Sequence, residues 1–330
     1  MSGAVVRDAL PGSASGPVTI LWAGDTLLAD AAQELLERNG YEWPFEHLLP
    51  LLDADYNIIN QEGPITVLEE RFDPDQRWSY NAQPEAAAAL AAVGVDAVSL
   101  SNNHAMDRGP AGLADTIRHL DEVGVRAFGA GLDLTQAEAP LLIDTPHGAV
   151  GVVGLGLDWG VDRTAGPEQA GTVVISEQSI QRGYKLARAA GARWVVAYVH
   201  WGANYESVGS KEREWAAGFA HAGYDLVIGH HPHVQQPIDV INGMPVVYSL
   251  GNFVFGSKGR FDQNHPGYGL IAVSVLGSGG FESLRFRCIL TDNYLVQYQP
   301  CPCNAAQSEA VLGSLHPGVE VQEGVGVFDW

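Results

Sequence analysis

Short β-branched or apolar runs alternate with helical patterns through most of the chain, which is the signature of α/β layering rather than an all-β sandwich. Val18 to Ala23 reads as a buried strand, Asp30 to Asn39 as a helix, Asn57 to Asn60 as a strand, Glu85 to Val93 as an alanine-rich helix and Ala97 to Leu100 as a strand. Pro110 starts a helix that runs to about Val123, and Val125 to Phe128 follows as strand. Further strands fall at Val150 to Gly154, Trp194 to Val199 and Asp225 to Ile228, separated by helices near Ile175 to Ala190 and Lys211 to Ala222. From Ile238 the texture changes to hairpins: Asn242-Gly243 lies between apolar runs, and alternation continues through Gly269 to Leu276 and Phe281 to Tyr298. A second sheet is implied. Two sheets face to face with helices outside would make one domain over residues 18–306, since no Pro/Ser-rich linker divides it. Met1 to Pro17, rich in Gly, Ser, Ala and Pro, reads as a flexible tail, and the Gly-rich, weakly patterned segment 307–330 leaves its order open.

Composition supports a folded enzyme-sized chain: of 330 residues 46% are hydrophobic and 17% charged, enough to bury a sizeable core. The 39 acidic and 18 basic residues give a net charge of -21, which repels phosphate backbones and anionic membrane surfaces, so neither nucleic acid nor membrane is expected as a partner. The same charge permits a cation, although a solvated acidic surface explains it as well. No apolar run is long enough for a signal sequence or for the roughly 18 residues of a membrane span, so the chain is placed in the cytoplasm. Cys288, Cys301 and Cys303 form an odd, sparse set without metal or redox spacing and read as reduced structural thiols. A homo-oligomer is open.

Candidate chemistry sits where the strands end. Gly24-Asp25, Asn60-Gln61-Glu62, Ser101-Asn102-Asn103-His104, His200-Trp201-Gly202 and Gly229-His230-His231-Pro232-His233 each follow a strand. In an α/β sheet the carboxyl ends of strands face a common crevice, so clusters far apart in sequence can converge. Singly, each has an ordinary explanation: Asp25 as a helix cap, Glu62 as surface, Asn103 and Asp107 as turn formers, His200 as a satisfied core-edge histidine. Together they are harder to dismiss, because burying so many polar groups without a ligand would cost several kcal/mol. Oxygen and imidazole donors without thiolate suit manganese, iron, zinc or calcium.

The ordered series Gly24-Asp25, Asn60-x-Glu62, Ser99-Leu-Ser-Asn-Asn-His104-x-x-Asp107-x-Gly109, His200-Trp-Gly202, Gly229-His-His-Pro-His233 and Ser249-Leu-Gly-Asn-Phe253 resembles the bacterial capsule-biosynthesis (CapA) family, a branch of the calcineurin-like metallophosphoesterases. The resemblance covers about Val18 to Leu276 and implies a two-sheet α/β-β/α sandwich. It implies a divalent metal site with Asp25, Glu62 and His233 on one side, Asn103, His200 and His231 on the other, and Glu62 between them. His104 would be the acid or base beside the metal, its ring oriented by Asp107. One departure matters: Asp25-Thr26-Leu27 puts leucine where such enzymes carry a histidine ligand, which favours one metal (calcium, manganese or zinc) over two. Asn252 is expected to tie the second sheet to the site floor. Asp262 and His265, on a polar loop, could overhang the crevice as a second acid/base pair. Trp22, Trp159 and Trp201 could line an aromatic pocket or simply pack in the core.

Three reactions suit such a site. Phosphate-ester hydrolysis is weakened by Leu27 and the scarcity of basic residues. A role in capsule or poly-γ-glutamate assembly, as in anchored family members, is weakened by the lack of a signal or anchor. The third is proton transfer at carbon by two acid/base groups on opposite faces, with a metal beside the carboxylate or carbonyl. The three lysines, Lys185, Lys211 and Lys258, offer no Schiff-base setting, so no organic cofactor is expected. Within its group the chain is similar to the lasso-peptide epimerase, which implies an isomerase acting on the C-terminal residue of a ribosomal precursor peptide.

Overall fold

The structure, a computed structural model, describes residues 16–330; the tail expected over residues 1–17 therefore lies almost wholly outside the described residues. The first strand, Val18–Leu27, is buried on both faces, which is why it reads as a continuous apolar run rather than an alternation. Ile20 and Trp22 face one core and Leu21 and Ala23 another, on the opposite side of the sheet. Trp22 is fully buried and its Nε1 donates to Ser274 Oγ at 3.0 Å, so its large apolar area is hidden without orphaning the indole N–H.

Two sheets stack face to face. The first has ten strands, running through Gly280–Leu290, Tyr268–Gly277, Val18–Leu27, Tyr56–Gln61, Ala97–Ser99 and Arg126–Phe128. The second has six, with Met244–Val247, Leu226–His230, Trp194–His200 and Val150–Gly156 at its centre. The core between them contains Trp22, Ile58, Val152, Val196, Tyr198, Ile228 and Leu270. Helices Glu85–Ala92 and Gly109–Glu122 cover the outer face of the first sheet, while Glu177–Ala189 and Ser210–Ala222 cover that of the second. This is the α/β-β/α sandwich expected from the sequence, but the hairpin strands expected to form the second sheet divide differently: Tyr268–Gly277 and Gly280–Leu290 extend the first sheet beside Val18–Leu27.

Register brings the site to one edge. In the first sheet Asp25 pairs with Asn60 and Asn60 with Ser99, all in parallel strands; in the second Gly156 pairs with His200 and His200 with His230. The first strand continues past Ala23 because a further strand, Asn252–Phe255, runs alongside it, with Asp25 N donating to Gly251 O at 3.0 Å. That approach requires glycine at position 24, where a Cβ would lie 1.9 Å from Gly251 O.

Elsewhere the sequence expectations shift. The strand expected through Tyr298 stops at Leu290, since Asp292 accepts from Tyr294 N at 3.0 Å and caps the short helix Asn293–Val296. Segment 307–330 is built into the domain: the helix Ala305–Gly313 sends Val311 and Leu312 into the inter-sheet core with Phe328, and Val325–Asp329 pairs with Gly280–Leu290. The reading of three reduced thiols is corrected: Cys288 and Cys303 are disulfide-bonded and Cys301 alone is free. Antiparallel pairing of Leu290 with Cys301 carries Cys303 N to 3.0 Å from Cys288 O, a proximity that sequence spacing does not reveal. Disulfides persist chiefly in oxidising compartments, so this bond removes one support for the cytoplasmic expectation. Among the described residues no helix is long and apolar enough to cross a membrane.

Candidate metal centre

Five strand ends deliver their polar clusters to one buried point. Asp25, Glu62 and His233 place ligating atoms within 4.8 Å of one another. On the other side of Glu62, His200 Nε2 lies 3.9 Å from Glu62 Oε1, 2.8 Å from Asn103 Oδ1 and 3.0 Å from His231 Nδ1. Asn60 links the two halves, donating from Nδ2 to Asp25 Oδ1 at 2.8 Å and lying 3.2 Å from His200 Nδ1. His231 and His233 both adopt left-handed backbone, φ 99° and 59°, strain that non-glycine residues carry only where surrounding structure enforces it. The third histidine of that cluster turns away: His230 faces the carbonyls of Ala23 and Val199 and stacks on Tyr198.

Electrostatics test whether a cation fits. Glu62 is fully buried and neither carboxylate oxygen has a hydrogen-bond partner among the described residues. Burial, and then neighbouring Asp25, push its pKa well above the ordinary range. Burial also acts to raise Asp25, but the hydrogen bond and charge of His233 outweigh it and hold that carboxyl well below its usual value. Burial, then His231, keeps His200 far below the ordinary histidine pKa; burial, then His233, lowers His231 to about 3. Neutral imidazoles beside an orphaned carboxylate are the form that donates lone pairs to a metal, and an unpartnered buried carboxylate is costly without one. The residues present therefore fit a divalent cation. Leu27 is buried in the apolar core on the helix side and gives the Asp25 half one donor fewer.

Beside this centre stands a histidine–aspartate dyad. His104 Nδ1 lies 2.7 Å from Asp107 Oδ2, and Asp107 is fully buried, also accepting from Tyr80 N at 2.7 Å and Gln76 Nε2 at 2.8 Å. Asp107 thus holds the proton on Nδ1 and leaves Nε2 as the basic atom. Asn102 Oδ1 accepts from His104 N at 3.1 Å and the Tyr80 ring packs on the imidazole at 4.3 Å, which fixes its plane. His104 and His233 line a cavity of about 220 Å³ with Tyr80, Trp78, Tyr205 and Arg260.

Not every expected residue joins the site. Asp262 and His265 are paired at 3.4 Å, but His265 lines a neighbouring cavity, and Tyr205 packs near both His233 and His265, with ring centroids 5.8 and 6.3 Å away. Asn252 belongs to the first sheet, not the second, and its Oδ1 is 2.9 Å from His233 Nδ1. Trp22 and Trp201 pack in the core, whereas the Trp159 ring lies 5.3 Å from that of His231. Gln76, Tyr80 and the arginines of the cavity escaped the sequence reading because they sit on two loops without strand or helix periodicity, Arg260 on the loop before Tyr268–Gly277 and the others on the loop before Glu85–Ala92; Asn60 was visible inside its motif.

Residues 19–257 match the family model for the bacterial capsule synthesis protein PGA_cap. The chain belongs to that family. A PGA_cap relative, PGA biosynthesis protein CapA of Bacillus subtilis (strain 168), is 30% identical over 237 residues, covering 71% of this chain and 62% of the relative. The chain therefore spans less than two thirds of the curated relatives it matches. Among solved structures, a phosphatase from Mycoplasma pneumoniae aligns with TM-score 0.51 and 12% identity over 84% of this chain and 95% of its own. The sulfate thiohydrolase SoxB of Thermus thermophilus aligns with TM-score 0.50 and 16% identity over 94% and 63%. The PGA_cap fold here is thus the calcineurin-like metallophosphoesterase fold, and at such identities the likeness concerns fold alone.

Proposed function

We propose that this PGA_cap protein is a metal-dependent acid/base enzyme, an isomerase that inverts the Cα of the C-terminal residue of a ribosomal (lasso-type) precursor peptide without an organic cofactor. What supports the reading is the dyad: a buried imidazole oriented by a fully buried aspartate, opening on a cavity beside the metal centre. Asp25, Glu62 and His233, with Asn103, His200 and His231, would hold the cation, and a cation there supplies positive charge next to a substrate carboxylate or carbonyl. His104 Nε2 accepts the Cα proton, Asp107 stabilises the resulting imidazolium, a water molecule gives a proton to the opposite face of Cα, and the imidazolium returns its proton to the hydroxide so formed, so that atoms and charge balance. His233 lines the same cavity, whereas His265 lines a neighbouring one, its ring centroid 6.3 Å from that of Tyr205. Exposed Val67, Leu68, Phe72 and Trp78 on the loop beside the cavity suit a peptide more than a compact polar substrate.

A second reading is phosphoester hydrolysis, favoured by the two groups of donors on either side of Glu62. The name of the Bacillus relative favours a third, a part in capsule or poly-γ-glutamate biosynthesis. Incubation of the metal-loaded protein in deuterium oxide with a candidate precursor peptide, and separately with an aryl phosphate, distinguishes them. Deuterium at Cα without phosphate release supports the isomerase. Phosphate release that His104→Ala abolishes supports the hydrolase, and inactivity in both supports a biosynthetic binding partner.

A further inference from the structure

The cavity beside His104 is electrostatically unlike the rest of the protein. In a chain of net charge -21, no aspartate or glutamate lines it, while two arginines do, Arg77 and Arg260. Some other exposed arginines are held by carboxylates: Arg118 by Asp115 and Glu122, Arg182 by Glu138. Arg77 and Arg260 have no ion-pair partner among the described residues and rest on aromatic rings instead. The Arg77 guanidinium lies 4.4 Å from the Trp78 ring centroid, and that of Arg260 lies 5.7 Å from the same ring and 4.8 Å from Tyr205. Two like charges beside one indole repel each other, and a surface with so many spare carboxylates places none between them. The Arg260 side chain also hydrogen-bonds Tyr205, and the N–H groups that neither arginine commits to a carboxylate of this chain match an incoming carboxylate in a two-pronged hydrogen bond.

We propose that Arg77 and Arg260 form a carboxylate-binding mouth that grips the C-terminal carboxylate of a peptide and presents the adjacent Cα to His104. The identity of the peptide rests on the function proposed above. The gripping of a carboxylate rests only on the arginines and the cavity. Trp78, 43% exposed, offers the terminal side chain an apolar wall. Two guanidiniums on the carboxylate also offset the negative charge that builds when Cα loses its proton.

The test compares N-acetyl-Ala-Ala-Phe with its C-terminal amide by calorimetry on the metal-loaded full chain. The acid is expected to bind about tenfold or more tightly than the amide, the scale of a charge-assisted hydrogen bond. In the double variant Arg77→Gln, Arg260→Gln the acid falls to the affinity of the amide while metal content stays unchanged. Arg285→Gln, an exposed arginine on the strand Gly280–Leu290, controls for net charge and keeps the preference. Equal binding of acid and amide, no binding of either, or a preference that survives the double substitution overturns the proposal. Inorganic phosphate that binds these arginines more tightly than the peptide acid also overturns it. Deuterium exchange at Cα of the bound peptide is read separately: a carboxylate preference without exchange leaves the mouth standing and defeats the isomerase, and exchange without a preference does the reverse.

Discussion

In two histidine–aspartate pairs of this chain the partners are three residues apart, and only one pair is buried. His104 and Asp107 are 2.7 Å apart with side chains 8% and 0% exposed; His265 and Asp262 are 3.4 Å apart with side chains 35% and 59% exposed. Asp107 accepts from His104, Tyr80 N and Gln76, so its charge is distributed over fixed donors in a dry environment. Asp262 instead accepts from the backbone of Asn264 and His265 and closes its own turn, and those two bonds, before any effect of the His265 ring, lower its pKa. The difference teaches that composition and spacing make a pair, while burial and surrounding donors make a dyad: in water the same attraction is screened and the ring is free to turn.

The sharpest way to break the comparison is removal of each histidine. His104→Ala should lower Cα deuterium exchange, read by mass spectrometry, by about a hundredfold to ten-thousandfold, whereas His265→Ala should leave it within about threefold. An equal loss in both variants would make the two pairs functionally alike. Asp107→Asn should follow, with exchange reduced and unfolding free energy in urea lowered by about 1–3 kcal/mol, because the amide cannot accept all three donors. Asp262→Asn should leave the urea midpoint unmoved.

The candidate metal centre sharpens the contrast through pH. Glu62 has a raised pKa in the metal-free fold, so the stability tied to its protonated form is present at low pH and lost as pH rises through that pKa. A cation must displace the proton, so metal affinity should rise with pH and proton release should appear in calorimetry run in two buffers of different ionisation enthalpy. Metal should raise the melting temperature more at high pH than at low pH, and Glu62→Gln should flatten that dependence. The smallest expected effect is that of Gln76→Ala, which removes one of the donors to Asp107: a few-fold drop in exchange, with metal content by elemental analysis unchanged.

Much of the site was legible because its residues end strands. Asp25, Glu62, Asn103, His200 and His231 follow apolar runs that can only be buried strands, and parallel register then leaves their side chains little choice of destination. Less legible were residues whose role depends on a loop path. Gln76, Tyr80, Arg77 and Arg260 carry no periodicity, and nothing local marks them as neighbours of His104. The disulfide was illegible for a related reason, since Cys288 and Cys303 meet through the pairing of Leu290 with Cys301.

The sequence by itself determined the layering, the family and the inventory of donors, because burial periodicity and residue chemistry are local properties of a chain. Only the tertiary structure decided which of the three clustered histidines turns inward to backbone carbonyls, and which of two His–Asp pairs lies dry against the centre. It also decided that two unpaired arginines share one indole at the cavity. Each of those outcomes depends on distances between segments remote in sequence, and electrostatic strength is set by distance and by the water that packing excludes.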